Sequence, residues 1–232
     1  MSHKAFMKKL KEYPNNNHRI IIFDFDGVLA DTIKIKGNVF SEVFKDYGFK
    51  VKNFANKFHL KNIGLNRKKK FIKISEYIGK YNIKENELIR FNKEFNIIYS
   101  KFYNKIKLNF DFINYIKKNK KYYKFYISST APKKEIKAIL EFNKCNKLFI
   151  KIYGSEITKV SAINQIIKKN NAKKSNIVFI GDSILDFITA KKTNINFISY
   201  KLKSNGYKKN VFLSSSKKFN KVINGYFSNN RN

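Results

Sequence analysis

The sequence predicts an α/β protein: a doubly wound parallel sheet, interrupted after its first strand by an all-helical insertion. Three observations point there. Ile20-Ile21-Ile22-Phe23 is an apolar run without polar alternation, as in a parallel strand covered on both faces. From Ile33 to about Lys107 the apolar residues recur at helical spacing instead. Beyond Asp111, short apolar runs alternate with amphipathic helical stretches, the pattern of βαβ units. At 232 residues and 43% hydrophobic content, the chain can fill one substantial core and a modest insertion.

The lead-in, Met1 to Arg19, is basic and polar and lacks the apolar centre of a signal peptide. Pro14-Asn15-Asn16-Asn17 breaks any helix before the first strand. That strand runs into Asp24-Phe25-Asp26-Gly27. If strand geometry continued, Asp24 and Asp26 would share a side. Two carboxylates so close repel each other, and a bound cation keeps both ionised. Gly27 lets the backbone turn sharply. Asp-Gly by itself would mark only a turn. The longer stretch reads as a loop that holds a metal and an attacking oxygen at the carboxyl end of a central strand.

The insertion carries Val39, Phe40, Val43 and Phe44, then Phe71, Ile74 and Ile78, then Leu88, Phe91, Phe95, Ile98 and Phe102. Gly48, Gly64 and Gly79 are its breaks. The sheet pattern then resumes. Helices are expected at Asp111 to Lys118, Pro132 to Phe142, Lys159 to Lys169 and Ile184 to Lys192. Strands are expected at Tyr122 to Ile127, Phe149 to Ile152, Ile177 to Ile180 and Ile195 to Ser199. Thr130 is a candidate cap for the helix that Pro132 opens. One further helix is expected near Lys217 to Tyr226.

Three polar stretches sit where these strands end. Ser128-Ser129-Thr130 offers hydroxyls and free backbone N–H groups at a helix start, which suit a phosphate oxygen. Lys159 lies at a loop-to-helix junction before an amphipathic helix. Gly181-Asp182-Ser183-Ile184-Leu185-Asp186 puts Asp186 one helical turn after Asp182, so the two carboxylates can converge. Oxygen ligands of this kind suit Mg²⁺.

Asp24 to Thr32 fits D-x-D-G-V-x-x-D-[ST] and resembles the first motif of the haloacid dehalogenase superfamily of phosphohydrolases. Ser128 matches the second motif, Lys159 the third, and the G-D-x-x-x-D spacing of Gly181, Asp182 and Asp186 the fourth. The resemblance spans Ile20 to Thr32 and about Asn109 to Tyr200. It implies a Rossmann-like catalytic core formed by residues 1–32 and 108–232. It also implies a helical cap at 33–107, as in the phosphoglycolate phosphatase-like branch. The implied activity is Mg²⁺-dependent hydrolysis of a small phosphate monoester, a sugar phosphate or a phosphoglycolate-like compound. In that scheme Asp24 attacks phosphorus to give an aspartyl-phosphate, and Asp26 moves protons. Ser128 and Lys159 hold the transferred group, with Gly27, Ser129 and Thr130 in the phosphate-binding set. Asp24, Asp26 (through its carbonyl), Asp182 and Asp186 are the implied metal residues. Ala131 interrupts the S-x-T-P pattern of one bacterial subgroup. The stretch from His59 to Phe71 is similar to an H-x-x-N-x-G-x-x-R-x-x-K-F segment of bacterial members linked to surface sugars, which marks His59, Arg67 and Lys70 as substrate-facing candidates.

The formal charge is +34, yet the arginines are only Arg19, Arg67, Arg90 and Arg231. Lysines spread along the chain among many Asn, Ile, Phe and Tyr, as a genome rich in A/T codons would produce. Specific nucleic-acid binding is therefore not expected. No apolar run is long enough to span a bilayer, so no membrane partner is expected. Cys145 is the only cysteine, so an intrachain disulfide is excluded, and no zinc spacing is present. A cytoplasmic enzyme acting on a small phosphorylated substrate fits all of this. Two alternatives remain open: a phosphoglucomutase-like phosphotransferase, and a basic nucleic-acid binder on an inactive scaffold. The intact acidic set argues against the second, because carboxylates repel phosphate without a metal.

Overall fold

The computed structural model describes residues 19–201 and 211–229. The first strand, β1 (Arg19–Phe23), is followed by four helices of the insertion: α1 (Ile33–Val43), α2 (Phe49–Lys61), α3 (Arg67–Tyr77) and α4 (Glu85–Ser100). The sheet-forming part resumes with α5 (Phe110–Asn119), β2 (Tyr123–Ser128), α6 (Lys133–Phe142) and β3 (Lys151–Tyr153). It continues with α7 (Lys159–Asn170), β4 (Ile177–Gly181), α8 (Ile184–Thr193) and β5 (Asn196–Tyr200). The short strand β6 (Val211–Leu213) and the helix α9 (Phe219–Asn229) complete it.

The strands form one parallel sheet in the order β3-β2-β1-β4-β5-β6. This is a Rossmann-type order, and its reversal point lies at β1. Successive β1 side chains face opposite sides. Ile20 and Ile22 pack with Ile163, Ile166 and Phe179, while Ile21 and Phe23 join Phe112, Ile136 and Phe219. Both faces are therefore apolar, which explains the unbroken Ile-Ile-Ile-Phe run. Ligands bind such sheets beyond the carboxyl ends of the strands near the reversal point. Asp24 follows β1 and Asp182 follows β4 at that place.

The helices of the insertion pack around a cluster of aromatic rings that is continuous with the core on the Phe23 face of the sheet. Phe40 lies 4.8 Å from Phe95, and Phe44 lies 4.7 Å from Phe91, centroid to centroid. Phe71 touches all four rings. Each Phe buried this way contributes on the order of 1.5–3 kcal/mol. The chain leaves and re-enters the sheet-bearing part through paired linkers. Asp31 N–H donates to Lys107 O at 3.1 Å, and Asn109 N–H donates to Leu29 O at 2.8 Å.

Several expectations are corrected. Strand geometry stops at Phe23, because Leu29 and Ala30 both donate to Phe25 O and fold the acidic stretch into a turn. The strand expected at Phe149 to Ile152 begins two residues later, after a 3₁₀ turn at Asn146–Leu148. Thr130 does not cap α6. Pro132 holds the cap position with no side-chain cap bond, and Lys133 N–H donates to Glu156 Oε1 at 2.9 Å instead. β6 was not expected; three residues between polar neighbours leave no readable pattern. The lead-in before Arg19 lies outside the described residues.

Candidate active site

Asp24 sits between the ends of β1 and β4, where the starts of α7 and α8 bring up Lys159 and Asp186. The Asp24 backbone N–H donates to Ile180 O, which fixes it between β1 and β4. Its Oδ1 accepts from Phe25 N–H at 2.7 Å, and its Oδ2 lies 3.0 Å from Lys159 Nζ. Thr158 caps α7 by accepting from Ser161 N–H, and so sets the helix start from which Lys159 projects. Lys159 also reaches Asp186 Oδ1 at 2.5 Å. The other Asp186 oxygen accepts from Ser183 N–H and from Ser183 Oγ at 2.6 Å, a capping box that anchors α8.

Oxygens of Asp24, Asp182 and Asp186 all lie within 4.8 Å of one another. Such crowding leaves its mark on their titration. Burial, opposed by Lys159 and reinforced by Asp186, pushes the Asp24 carboxyl up to about 7. Burial together with Asp24 and Asp186 pushes Asp182 well above the usual carboxylate range. Burial also works against the Lys159 charge, but Asp186 and Asp24 outweigh it and raise the ammonium. Two carboxylates that resist ionisation side by side fit a divalent cation. The backbone makes room for this: Gly27 has φ of 76°, and a Cβ there would stand 2.1 Å from Asp182 Oδ2. The residues present thus suit a hard, oxygen-seeking ion. Asp186 is turned to Lys159 and Ser183, while Asp182 takes no ion pair among the described residues.

Ser128 ends β2 fully buried, and its Oγ has no hydrogen-bond partner. A buried hydroxyl without a partner is costly unless something else satisfies it. Ser129 is buried too, with its Oγ accepting from Ala131 N–H at 3.2 Å. Thr130 is half-buried and lines the clefts described below.

Asp26 points elsewhere. Its Oδ1 accepts from Thr32 Oγ1 at 2.5 Å, and its Oδ2 pairs with Lys36 Nζ at 2.6 Å. Thr32 gives its hydroxyl to Asp26 rather than to capping α1. Burial would raise the Asp26 carboxyl, but Lys36 and Thr32 prevail and hold it below the usual range.

Of the insertion candidates, His59 is buried and stacked on Phe40. Its Nε2 faces Ile33 O at 3.0 Å, and its Nδ1 faces Lys70 Nζ at 2.9 Å. The carbonyl requires Nε2 to donate, which leaves Nδ1 to accept from Lys70. Burial, then Lys70 and Lys36, push the imidazole down to about 3, so it is neutral. Both imidazole nitrogens are thus engaged within the fold, and burial pulls the Lys70 ammonium down to about 7. Arg67 is not on a solvated face: it pairs with Glu135 and lies 4.0 Å over the Phe95 ring. Its other nitrogen donates to Asn96 at 2.7 Å and Asn92 at 3.2 Å.

A narrow cleft of about 30 Å³ lies among Asp26, Lys36, His59, Arg67, Lys70 and Thr130. A wider one of about 400 Å³ opens beyond it, beside Asn66, Lys68, Asn92 and Ser155, and Arg67 and Thr130 line both. Lys36 and Glu135 escaped the sequence reading. The signal for each was a charged residue on an apolar helix face: Lys36 with Val39 and Phe40, Glu135 with Ile139.

The model of the haloacid dehalogenase-like hydrolases matches residues 21–200. The chain belongs to that family. The hydrolase resembles a β-phosphoglucomutase from Clostridium difficile at a TM-score of 0.77 and 20% identity, over 91% of this chain and 98% of that one. It also resembles a haloacid dehalogenase-like hydrolase from Bacteroides fragilis (TM-score 0.73, 19% identity, 86% and 98% covered). A third likeness is to a phosphoglycolate phosphatase assigned by prediction from Haemophilus somnus (0.72, 15%, 91% and 100%). At these identities the likeness is one of fold. No curated protein sequence matches the chain closely enough to stand as a relative. Among the described residues no helix is long and apolar enough to cross a membrane.

Proposed function

We propose that this hydrolase cleaves a small phosphate monoester, with Mg²⁺ bound, through an aspartyl-phosphate on Asp24. The observation that carries the reading is the pairing of Asp24 with Lys159 beside the unpartnered Ser128 hydroxyl, at the carboxyl ends of β1 and β2. A phosphoryl group there meets a nucleophile, a fixed positive charge and a free donor. Positioning and charge neutralisation of this kind supply most of the catalysis in phosphoryl transfer. Asp24 forms the new O–P bond as the ester O–P bond breaks, and Asp26 gives the leaving oxygen a proton. Asp26 then takes a proton from the water that attacks phosphorus, which frees Asp24. The first half needs Asp26 protonated, as it would be with the insertion open and Lys36 withdrawn; once that proton is given up, Thr32 and Lys36 of the closed form hold Asp26 ionised, the form this second half needs. Asp24, Asp182 and the Asp26 carbonyl would hold Mg²⁺, with Asp186 positioning Lys159. The ion supplies positive charge that keeps both carboxylates ionised and offsets the phosphoryl charge.

Arg67 and Lys70 would face the leaving group, with His59 supporting Lys70. A cleft of about 30 Å³ has room for a water but not for a sugar phosphate, so the insertion must open to admit substrate. The partner is then a small phosphorylated molecule rather than a nucleic acid or a membrane. A screen of sugar phosphates, phosphoglycolate and nucleotides for Mg²⁺-dependent phosphate release tests the reading; no release from any of them would overturn it.

Phosphoryl transfer to a second sugar hydroxyl is the alternative, favoured by the way the insertion closes over Asp26 and would shield an aspartyl-phosphate from water. An isomer of a single sugar phosphate, formed in place of free phosphate, would select it.

A further inference from the structure

Glu135 stands in the first turn of α6, in the sheet-bearing part, yet both its carboxylate oxygens are taken by the insertion. Oε1 lies 2.7 Å from Lys36 Nζ of α1, an ion pair outside hydrogen-bond geometry, and Oε2 is both hydrogen-bonded and ion-paired to Arg67 of α3. The Glu135 side chain is 3% exposed, those of Lys36 and Arg67 7% and 11%. Lys36 continues to Asp26 at 2.6 Å. Arg67 is kept in place by the Phe95 ring and by Asn92 and Asn96. One core carboxylate thus fixes two cations on two separate helices, and one of those cations touches Asp26.

Stability alone does not account for this. Removing three charged groups from water costs as much as their pairing returns, and apolar residues would seat the insertion as well. Ion pairs do differ from apolar contacts in setting register, because each charge has one correct partner. Lys36 and Arg67 line the narrow cleft beside Asp26, and Glu135 ties both to the sheet-bearing part. An insertion that opens to admit substrate would have to break these pairs and remake them on closing.

We propose that Glu135 is a positioning residue: by binding Lys36 and Arg67 together it seats the insertion on the core and holds Lys36 against Asp26. The inference rests on the phosphoester reading given above. Glu135 does not touch the reacting atoms, and its effect passes through the two cations.

Glu135→Gln keeps the size and removes the charge. The first measurement needs no turnover: hydrogen exchange of wild type and variant without metal. Peptides covering 62–67 should exchange at least about threefold faster in the variant, while β1 and β4 stay unchanged, as expected for local rather than global opening. The second is hydrolysis of p-nitrophenyl phosphate with Mg²⁺. A misplaced site should lower kcat by about tenfold or more, with KM within about twofold. The double variant with Lys36→Met should fall no more than about twofold below the worse single one, since the two residues act as a unit. Unchanged exchange over 62–67 overturns the proposal whatever the kinetics. So does faster exchange spread equally over the sheet, or fully additive losses. If Glu135→Gln does not fold, Lys36→Met breaks the same tie from the other side and takes its place in the exchange comparison. If the wild type does not hydrolyse the ester at all, the phosphoester reading has failed, and exchange still decides whether Glu135 seats the insertion.

Discussion

Gly64 sits in the loop between α2 and α3, where the insertion meets the start of α8. A Cβ at this position would stand 2.7 Å from Ser183 Oγ, 3.0 Å from Ser183 Cβ and 3.3 Å from Leu185 Cβ. Carbon atoms pack best at about 3.5–4.0 Å, so Gly64→Ala overlaps the Ser183 carbon by about 0.5 Å or more (3.5 less 3.0). Ser183 cannot turn aside cheaply. Its Oγ donates to Asp186 Oδ2 at 2.6 Å and accepts from Asp186 N–H at 3.2 Å, and both bonds anchor α8. The loop must therefore retreat, and it takes with it Arg67, three residues on. A displacement approaching 1 Å near a reacting centre lowers rates by up to about a hundredfold. Gly64→Ala should cut kcat/KM for p-nitrophenyl phosphate by roughly ten- to a hundredfold. The aromatic core of the insertion is untouched, so the thermal midpoint should move by no more than about 4 °C. Wild-type kcat/KM in the variant would refute the closure argument, as would a loss fully explained by unfolding.

The other predictions concern the acidic cluster and the insertion core. Asp24→Asn should reduce hydrolysis by orders of magnitude while circular dichroism stays unchanged; near-normal turnover in a clean preparation removes Asp24 as nucleophile. Without metal, the folded chain holds the Asp24 proton up to about pH 7, whereas the unfolded chain releases it near 3.8, so this group costs stability as pH rises through that window. In EDTA, Asp24→Asn should therefore gain stability over the wild type between pH 5 and pH 8, by a few kcal/mol in all; a constant difference by urea titration contradicts the assigned shift. EDTA should abolish activity and Mg²⁺ restore it, with high Ca²⁺ inhibitory because its looser coordination would draw in both Asp24 oxygens; full turnover in EDTA would remove the proposed metal site. Phe40→Ala, which removes a ring touching Phe71, Phe95 and His59, should cost about 3–5 kcal/mol in denaturant unfolding, and a loss below about 1 would contradict the packing described.

The sheet was readable because parallel strands buried on both faces leave unbroken apolar runs, and Ile20 to Phe23 and Ile177 to Ile180 are such runs. The acidic stretches after β1 and β4 were readable because each follows such a run, while Ser128 and Lys159 were readable from their order and position among the motifs. Lys36 was not, since a buried lysine in a chain with 50 Lys and Arg is marked only by the helix face it occupies. Glu135 was harder still. Its partners Lys36 and Arg67 are 99 and 68 residues away in sequence (135 less 36 and 135 less 67), and only the closed geometry brings them together. His59 and Arg67 were singled out from a local pattern, which could not tell a contact with substrate from one within the fold. The displaced start of β3 and the unforeseen β6 share a cause: three-residue strands are fixed by their neighbours in the sheet, Ser128 to Tyr153 and Tyr200 to Leu213, not by their own periodicity.

The central claim is that phosphorus passes through the Asp24 carboxylate. An acyl phosphate is reduced by borohydride to an alcohol, which would convert Asp24, and no other residue, to homoserine. The decisive measurement is peptide mass spectrometry of enzyme quenched during turnover with Mg²⁺ and a phosphate ester, then treated with borohydride. The account predicts homoserine at position 24, dependent on substrate and lost without Mg²⁺. Active enzyme that yields only unmodified Asp24, or that carries the reduced residue at Asp26 or Asp182, would contradict it.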